Sequence, residues 1–335
     1  MILKKINKEE VSEYLEGINH IAYSDDFAKF AQNAYGSQRS LVGIFEGNEL
    51  KAFLPVFEKN DYGQTVAEVP LFIYAEIFFT DKNYKVSGSE LGSRLIKLLN
   101  CDVLRLNIYE MFFIGNFDHS GMEDTFSAMI IDLSRVGNYE DFLKNVLSKN
   151  SRSKIYKSES SGLDFCHLNR DDFSEFYSLY SEHVASLGSK PRPREYFENM
   201  INAYSFGQNL FMFGVRLEGR LISANLFIVE KDYMEVRFLA DDRRYHNLFA
   251  NNFLYAQMFK WAYEHGIKFI DLGGIPRSMK TNIEFKMSFG AKEYPIYTKY
   301  LFRDVWQKLI FKLTRKFIYF KKYRNLMLRK LKPVK

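Results

Sequence analysis

The sequence predicts an α/β protein made of two similar halves, each a mixed sheet flanked by helices, followed by a basic helical tail. Three observations lead there: a hairpin that occurs twice, the same succession of helix and strand after each copy, and a sharp change of charge after residue 303. The first hairpin reads LVGIFEGNELKAFLPVFEKN (41–60) and the second MFGVRLEGRLISANLFIVEKD (212–232). Each is an apolar strand, a Glu-Gly turn and a second apolar strand ending in Glu-Lys. The turns, Glu46-Gly47 and Glu218-Gly219, lie 172 residues apart. Glycine suits both because it tolerates positive φ.

The other elements follow in the same order in each half. Asp25 and Asp26 precede one helix. Asp171 and Asp172 precede another, with Phe173, Phe176, Tyr177, Tyr180 and Val184 on one face. After the first hairpin, Leu91, Leu95 and Leu98 mark a helix that leads to a strand at 103–106. After the second, Leu254, Met258 and Trp261 mark a helix that stops at Gly266 and leads to a strand at 269–272. Each half reads helix, hairpin, helix, strand, with domains at 1–138 and 139–303 and the tail at 304–335. Between the halves, LKNVLSKNSRSKIYKSESSG (143–162) carries Lys144, Lys149, Arg152, Lys154 and Lys157. It reads as a basic helix opening the second domain, either a solvated surface or a phosphate-binding one.

Composition narrows the class. Aromatics are 17% of 335 residues, with 32 Phe and 22 Tyr, so core material is ample. Cys101 and Cys166 form no closely spaced pair, which fits a reducing compartment. The N-terminus turns charged at Lys4, unlike a signal peptide, and no uncharged apolar run approaches the ~20 residues of a membrane span. The expected location is the cytoplasm, with the inner face of the membrane as an option. The net charge of +6 is unevenly placed: residues 304–335 hold eleven Lys or Arg and one acid, a net of +10, so the remainder carries −4. In the tail, Trp306, Leu309, Ile310, Leu313 and Phe317 follow helical spacing, as do Phe320, Tyr323, Met327 and Leu331. Such a basic amphipathic helix suits an anionic membrane surface, RNA phosphates, or packing on the body.

The stretch FIDLGGIPRSMKTNIEFKMSFGA (269–291) raises the chemical question. Gly273 and Gly274 leave the backbone bare at a strand end, where N–H groups could hold a carbonyl oxygen gaining charge, or where a simple turn precedes Pro276. Lys286 sits between Phe285 and Met287, either snorkelling at the surface or placed to meet a developing negative charge. SKPRPREYF sets Lys190, Arg192 and Arg194 around two prolines, and Arg192 shares a face with Tyr196 if a helix starts at Pro193. His246 reads as a local hydrogen-bonding residue before it reads as a base. The six histidines and two cysteines show no metal-ligand spacing, so no metal is expected.

These elements, the C-terminal half above all, resemble the FemAB-type transferases, tandem GNAT-like proteins that attach amino acids from aminoacyl-tRNA to peptidoglycan precursors. The likeness rests on SKNSRSKIYKSESSGL (148–163), GSKPRPREYFENM (188–200), the second hairpin, YHNLFANNFLYAQMFKWAYEHGIKFIDLGG (245–274) and EFKMSFGAKEYPIY (284–297). It covers roughly 143–300 well and the first 135 residues in outline. It implies that Lys286 and Phe285 face the aminoacyl end of the donor. It also implies that Arg192 and Tyr196 hold the phosphates of a nucleotide- or lipid-linked acceptor, and that Lys29 matches an acceptor-phosphate lysine. Many members have tryptophan where this chain has Phe27, and the helical hairpin that contacts tRNA in some members is absent from the sequence.

The expected activity is therefore acyl transfer, aminoacyl-tRNA to an amino group of a phosphate-linked envelope precursor, with no cofactor. Close relatives acylate saccharides, so an acyl-CoA-dependent N-acyltransferase acting on an amino sugar is the alternative, and a non-catalytic RNA- or membrane-binding protein is a third. Against ordinary acyl-CoA binding, DDRRYHNLFANN (241–252) has none of the glycines with which a GNAT loop grips pyrophosphate.

Overall fold

The computed structural model describes residues 1–69, 74–111 and 115–330, with side chains through residue 317. Among the described residues, twelve strands follow one another across a single sheet. The first half supplies β1 (Ile2–Ile6), β2 (Gln38–Glu46), β3 (Glu49–Asp61), β4 (Gln64–Val69), β5 (Val103–Tyr109) and β6 (Glu123–Asp132). The second supplies β7 (Leu163–Leu168), β8 (Leu210–Leu217), β9 (Arg220–Glu230), β10 (Tyr233–Asp241), β11 (Phe269–Pro276) and β12 (Lys292–Phe302). Across the sheet they run β1-β2-β3-β4-β5-β12-β6-β11-β10-β9-β8-β7, with a short strand at Phe78–Phe79 beside β3.

That order shows an exchange. β6, the last strand of the first half, pairs with β11 of the second, from Phe269↔Asp132 to Pro276↔Phe126. β12, the last strand of the second half, pairs with β5 of the first, from Ile296↔Tyr109 to Phe302↔Val103. β6 and β12 then pair with each other. The chain crosses between halves at 133–138, but the sheet has no seam there.

Within this sheet, among the described residues, each half contains one parallel pair, β4 with β5 and β10 with β11. Parallel neighbours need a crossover, usually helical, supplied here by α2 (Gly88–Leu99) and α6 (Ala250–Glu264). On one face of the sheet these two helices cover separate cores, Leu91 and Leu95 on Leu104 and Leu106, and Leu254 and Met258 on Phe227 and Met234. The opposite face holds one core shared by both halves, under α1 (Asp25–Tyr35), α4 (Phe173–Ser186) and α5 (Arg194–Ala203). Phe30 of α1 meets Tyr196 of α5 edge-on at 5.3 Å.

Local chemistry explains the helix ends. The Ser24 hydroxyl caps α1 by accepting from the Phe27 N–H (3.2 Å), with Asp25 and Asp26 inside the first turn near the positive end of the helix dipole. Asp172 stands at the start of α4, and Phe173, Phe176 and Tyr180 of the expected face are buried. The basic segment between the halves forms α3 (Lys149–Glu159). Two details differ from the sequence reading. In the first hairpin Glu46 pairs with Glu49, so the turn is Gly47-Asn48, whereas the second turn is Glu218-Gly219. β11 also does not stop at its glycines but continues through them to Pro276 with a break in register.

Candidate active site

The parallel pairing of β10 and β11 lasts only from Tyr233↔Phe269 to Glu235↔Asp271. Beyond it the register of β11 against β6 shifts between Asp271 and Gly274, and a cavity of about 560 Å³ opens between the parted strands. Glu235 and Arg237 of β10 and Leu272, Gly273 and Gly274 of β11 form one wall. Arg105 and Asn107 of β5, with Ile296 and Thr298 of β12, form another; Tyr74, Arg192, Tyr196 and Lys286 complete it. Both halves and an exchanged strand thus contribute.

The glycines have distinct reasons. Gly273 has φ +88°, where a side chain is strained. A Cβ on Gly274 would stand 2.8 Å from the Tyr74 ring. The Gly273 N–H donates to the Asp271 carboxylate (2.7 Å). It is therefore not the exposed donor that the sequence suggests.

Asp271 organises this corner. It is fully buried and accepts from the Tyr74 hydroxyl (2.7 Å), the Tyr233 hydroxyl (2.8 Å) and the Gly273 N–H. Burial raises its pKa, while these donors and nearby Lys286 pull it down. Lys286, on α7 (Lys280–Met287), reaches back to donate to the Leu272 carbonyl. Burial pushes its pKa down to about 8, with Asp271 as the opposing pull. Lys286 is thus half-buried against β11 and does not snorkel at the surface.

Across the cavity the Arg192 guanidinium stacks on the Tyr196 ring, 4.5 Å from its centroid. The Arg192 backbone is held at both ends: its N–H donates to the Tyr180 hydroxyl (3.3 Å) and its carbonyl accepts from the Tyr177 hydroxyl (3.1 Å). α5 begins at Arg194 with Pro193 as its cap, one residue later than expected. Arg105 lies over the Tyr300 ring at 5.6 Å, and Arg237 pairs with Glu235. Burial lifts Glu235 to about 7, against the pull of Arg237.

Of the residues singled out by sequence, Lys286, Gly273, Gly274, Arg192 and Tyr196 line the cavity. Lys29 is exposed on the outer side of α1, beside the inward-facing Phe27 and Phe30, and Lys190 is exposed in the loop before α5; neither lines it. Phe285 turns away from Lys286, because neighbours on a helix point about 100° apart. Its ring packs 5.1 Å from Phe289, and it borders a smaller cavity of about 210 Å³ at the start of α6 with His246, Asp241 and Asp242. Sequence reasoning missed Tyr74, Arg105, Glu235, Arg237 and Asp271. The usable signal was YMEVRF (233–238), where Glu235 and Arg237 alternate with apolar residues on a buried strand.

Residues 146–287 match the family model for the acetyltransferase (GNAT) domain. The crystal structure of FemX superposes with a TM-score of 0.67 over 93% of this chain and 99% of that one, at 14% identity. The chain has the tandem GNAT fold. A tandem GNAT protein from the clavulanic acid biosynthesis pathway has TM-score 0.52 at 11% identity, covering 89% of this chain and 98% of its own. L-PGS from Bacillus licheniformis gives 0.51 at 11%, covering 94% and 98%. No curated protein matches in sequence. The tandem GNAT architecture expected from the resemblance to FemAB-type transferases is the one observed, with the cavity where its two halves meet.

Proposed function

We propose that this protein transfers an aminoacyl group from aminoacyl-tRNA to an amino group of a phosphate-linked cell-envelope precursor. One observation carries the reading: Arg192 and Lys286, 94 residues apart in the chain, line one cavity with Tyr196 and the β11 glycines. Arginine forks suit phosphate oxygens. Arg192, stiffened by its prolines and stacked on Tyr196, serves the acceptor phosphate, with Arg105 lining the same cavity. The acceptor nitrogen bonds to the donor carbonyl carbon, the ester C–O bond breaks, and the leaving oxygen takes a proton. The Lys286 ammonium faces the carbonyl oxygen as it gains charge. Glu235 is the one carboxylate among the described lining residues, and its raised pKa suits it to receive the proton the amine gives up.

The donor body rests on α3 in this reading. The Ser148 N–H donates to the Ser288 carbonyl (2.9 Å), and the hydroxyls of Ser151 and Ser288 lie 2.7 Å apart, so α3 is tied to the end of the helix that bears Lys286. Lys149, Tyr156 and Lys157 border a shallow groove there, suited to RNA phosphates.

The test is single-turnover transfer from charged tRNA. Lys286→Ala is expected to slow it on the order of 100-fold, and Arg192→Ala to weaken acceptor use by roughly tenfold or more. Undiminished transfer by Lys286→Ala ends the proposal. The match of residues 146–287 to an acetyltransferase domain favours one second reading, acyl-CoA-dependent acylation of an amino sugar. Against it, residues 241–252 at the start of α6 contain no glycine to bare N–H groups to a pyrophosphate. Tight calorimetric binding of CoA would select that reading instead.

A further inference from the structure

The tail forms helix α8 (Val305–Lys330). Its side chains through residue 317 divide into three arcs. Gln307 and Phe311 face the body: the Gln64 amide donates to the Gln307 side chain (2.7 Å), and the Phe311 ring meets Tyr300 and Phe302 at 5.5 and 5.4 Å. On one flank Val305, Trp306, Leu309, Ile310, Leu313 and Phe317 fall within roughly 140° of a 3.6-residue wheel. All six are exposed, Trp306 at 73%, Leu313 at 57% and Phe317 at 68%. On the other flank stand Lys308, Lys312 and Arg315, with Lys316 at the border of the apolar arc. The second apolar set expected from the sequence, Phe320, Tyr323, Met327 and Leu331, lies outside the residues whose side chains are described.

The charge of this helix names its partner. Residues 305–330 contain nine Lys or Arg and no Asp or Glu. An apolar arc that carries a tryptophan and is flanked by cations on the side away from the body suits the interface of an anionic bilayer, where rings and aliphatic chains enter the headgroup boundary and the cations meet lipid phosphates. Among the described residues no helix is long and apolar enough to cross a membrane, so this one would lie on the surface. We infer that α8 is a docking helix for an anionic lipid surface. It sits against the site through one line of contacts: Phe311 on Tyr300, and Tyr300 under Arg105, which lines the cavity. Docking would thus hold the cationic cavity beside the bilayer. The inference stands apart from the choice of acyl donor.

The test uses the full chain and vesicles of phosphatidylcholine alone or mixed with phosphatidylglycerol. The protein has two tryptophans, Trp261 nearly buried and Trp306 exposed, so Trp306 reports insertion. Expected are co-sedimentation with the phosphatidylglycerol vesicles only, a blue shift of emission that Trp306→Phe removes, and weakening by salt. Leu309→Ser with Leu313→Ser abolishes the shift, and Lys308→Gln, Lys312→Gln and Arg315→Gln together weaken binding on the order of 100-fold. These are surface changes, so urea midpoints should stay put and separate lost docking from lost folding. No vesicle binding overturns the inference. So does saturable binding of RNA that displaces the vesicles and survives the serine changes, or a dimer in sedimentation equilibrium that the serine changes dissolve.

Discussion

Lys286→Met separates a buried functional cation from a surface lysine by stability alone. Its native pKa stands at about 8 against an ordinary 10.5. At ~1.4 kcal/mol per pH unit, keeping the ammonium in the folded protein costs about 3 kcal/mol at pH 7. Methionine fills similar space without charge. The Leu272 carbonyl loses its lysine donor, which returns ~1 kcal/mol of the gain. The variant should therefore be more stable than the parent by roughly 2 kcal/mol at pH 7 while losing transfer, since a functional site holds strain that a stability optimum would not. The sign changes with pH in a defined way. Between about 8 and 10.5 the native amine has released its proton and the unfolded one has not. The unfolded state then binds more protons, so the parent gains stability as pH rises, and the advantage of methionine fades across that window. Urea unfolding of both proteins at pH 7 and pH 10 reads this directly. A variant within about 0.5 kcal/mol of the parent at both pH values would behave as a surface substitution does, and the desolvated-lysine reasoning would be wrong.

The remaining predictions concern the frame. Gly274→Ala drives a methyl into the Tyr74 ring, and should lower stability by ~1–3 kcal/mol in urea unfolding; the parent's stability would show that Tyr74 is free to move. His20 is buried between Tyr109 and Tyr233, its Nδ1 accepting from the Ala22 N–H, and burial followed by the charge of Arg237 pushes its pKa down to about 3. Below an ordinary 6.5 the unfolded chain binds a proton that the native one refuses, so stability falls with falling pH by up to ~1.4 kcal/mol per unit. His20→Phe should remove that share of the slope in urea unfolding between pH 4 and 7. Residues 1–138 and 139–335 produced separately should fail to give cooperative thermal transitions, because each lacks a neighbour for an exchanged strand. Co-expression should restore a 1:1 complex, measured by light scattering.

Much of this was legible because it is local. The hairpins announced themselves by turn glycines and apolar runs, and the helices by period and caps. Arg192 and Tyr196 were readable together because they are four apart, and Lys286 because it interrupts an apolar run. What could not be read was pairing at long range. The exchange of β6 and β12 depends on which edges each half leaves open, and Glu123–Asp132 carries no mark of its partner. Asp271 fails for the same reason. In sequence it is one carboxylate before two glycines, and its importance comes from Tyr74, 197 residues away. Phe285 shows the converse: the family resemblance gives it one target with Lys286, yet helical geometry sends the two neighbours to different cavities.

The exchanged strands and the cavity have a common cause. β11 cannot follow β10 past Asp271, because its other edge is committed to β6, a strand of the opposite half, and the two pairings disagree by the shift between Asp271 and Gly274. That mismatch parts the strands and demands a residue at positive φ. It also leaves Asp271 buried with lone pairs to satisfy, which Tyr74 from the first half and Tyr233 from the second then meet. The first half is therefore more than a scaffold beside a catalytic domain. Through β6 it opens the cavity, through Tyr74 it holds the corner under Lys286, and through Arg105 it supplies a cation to the wall.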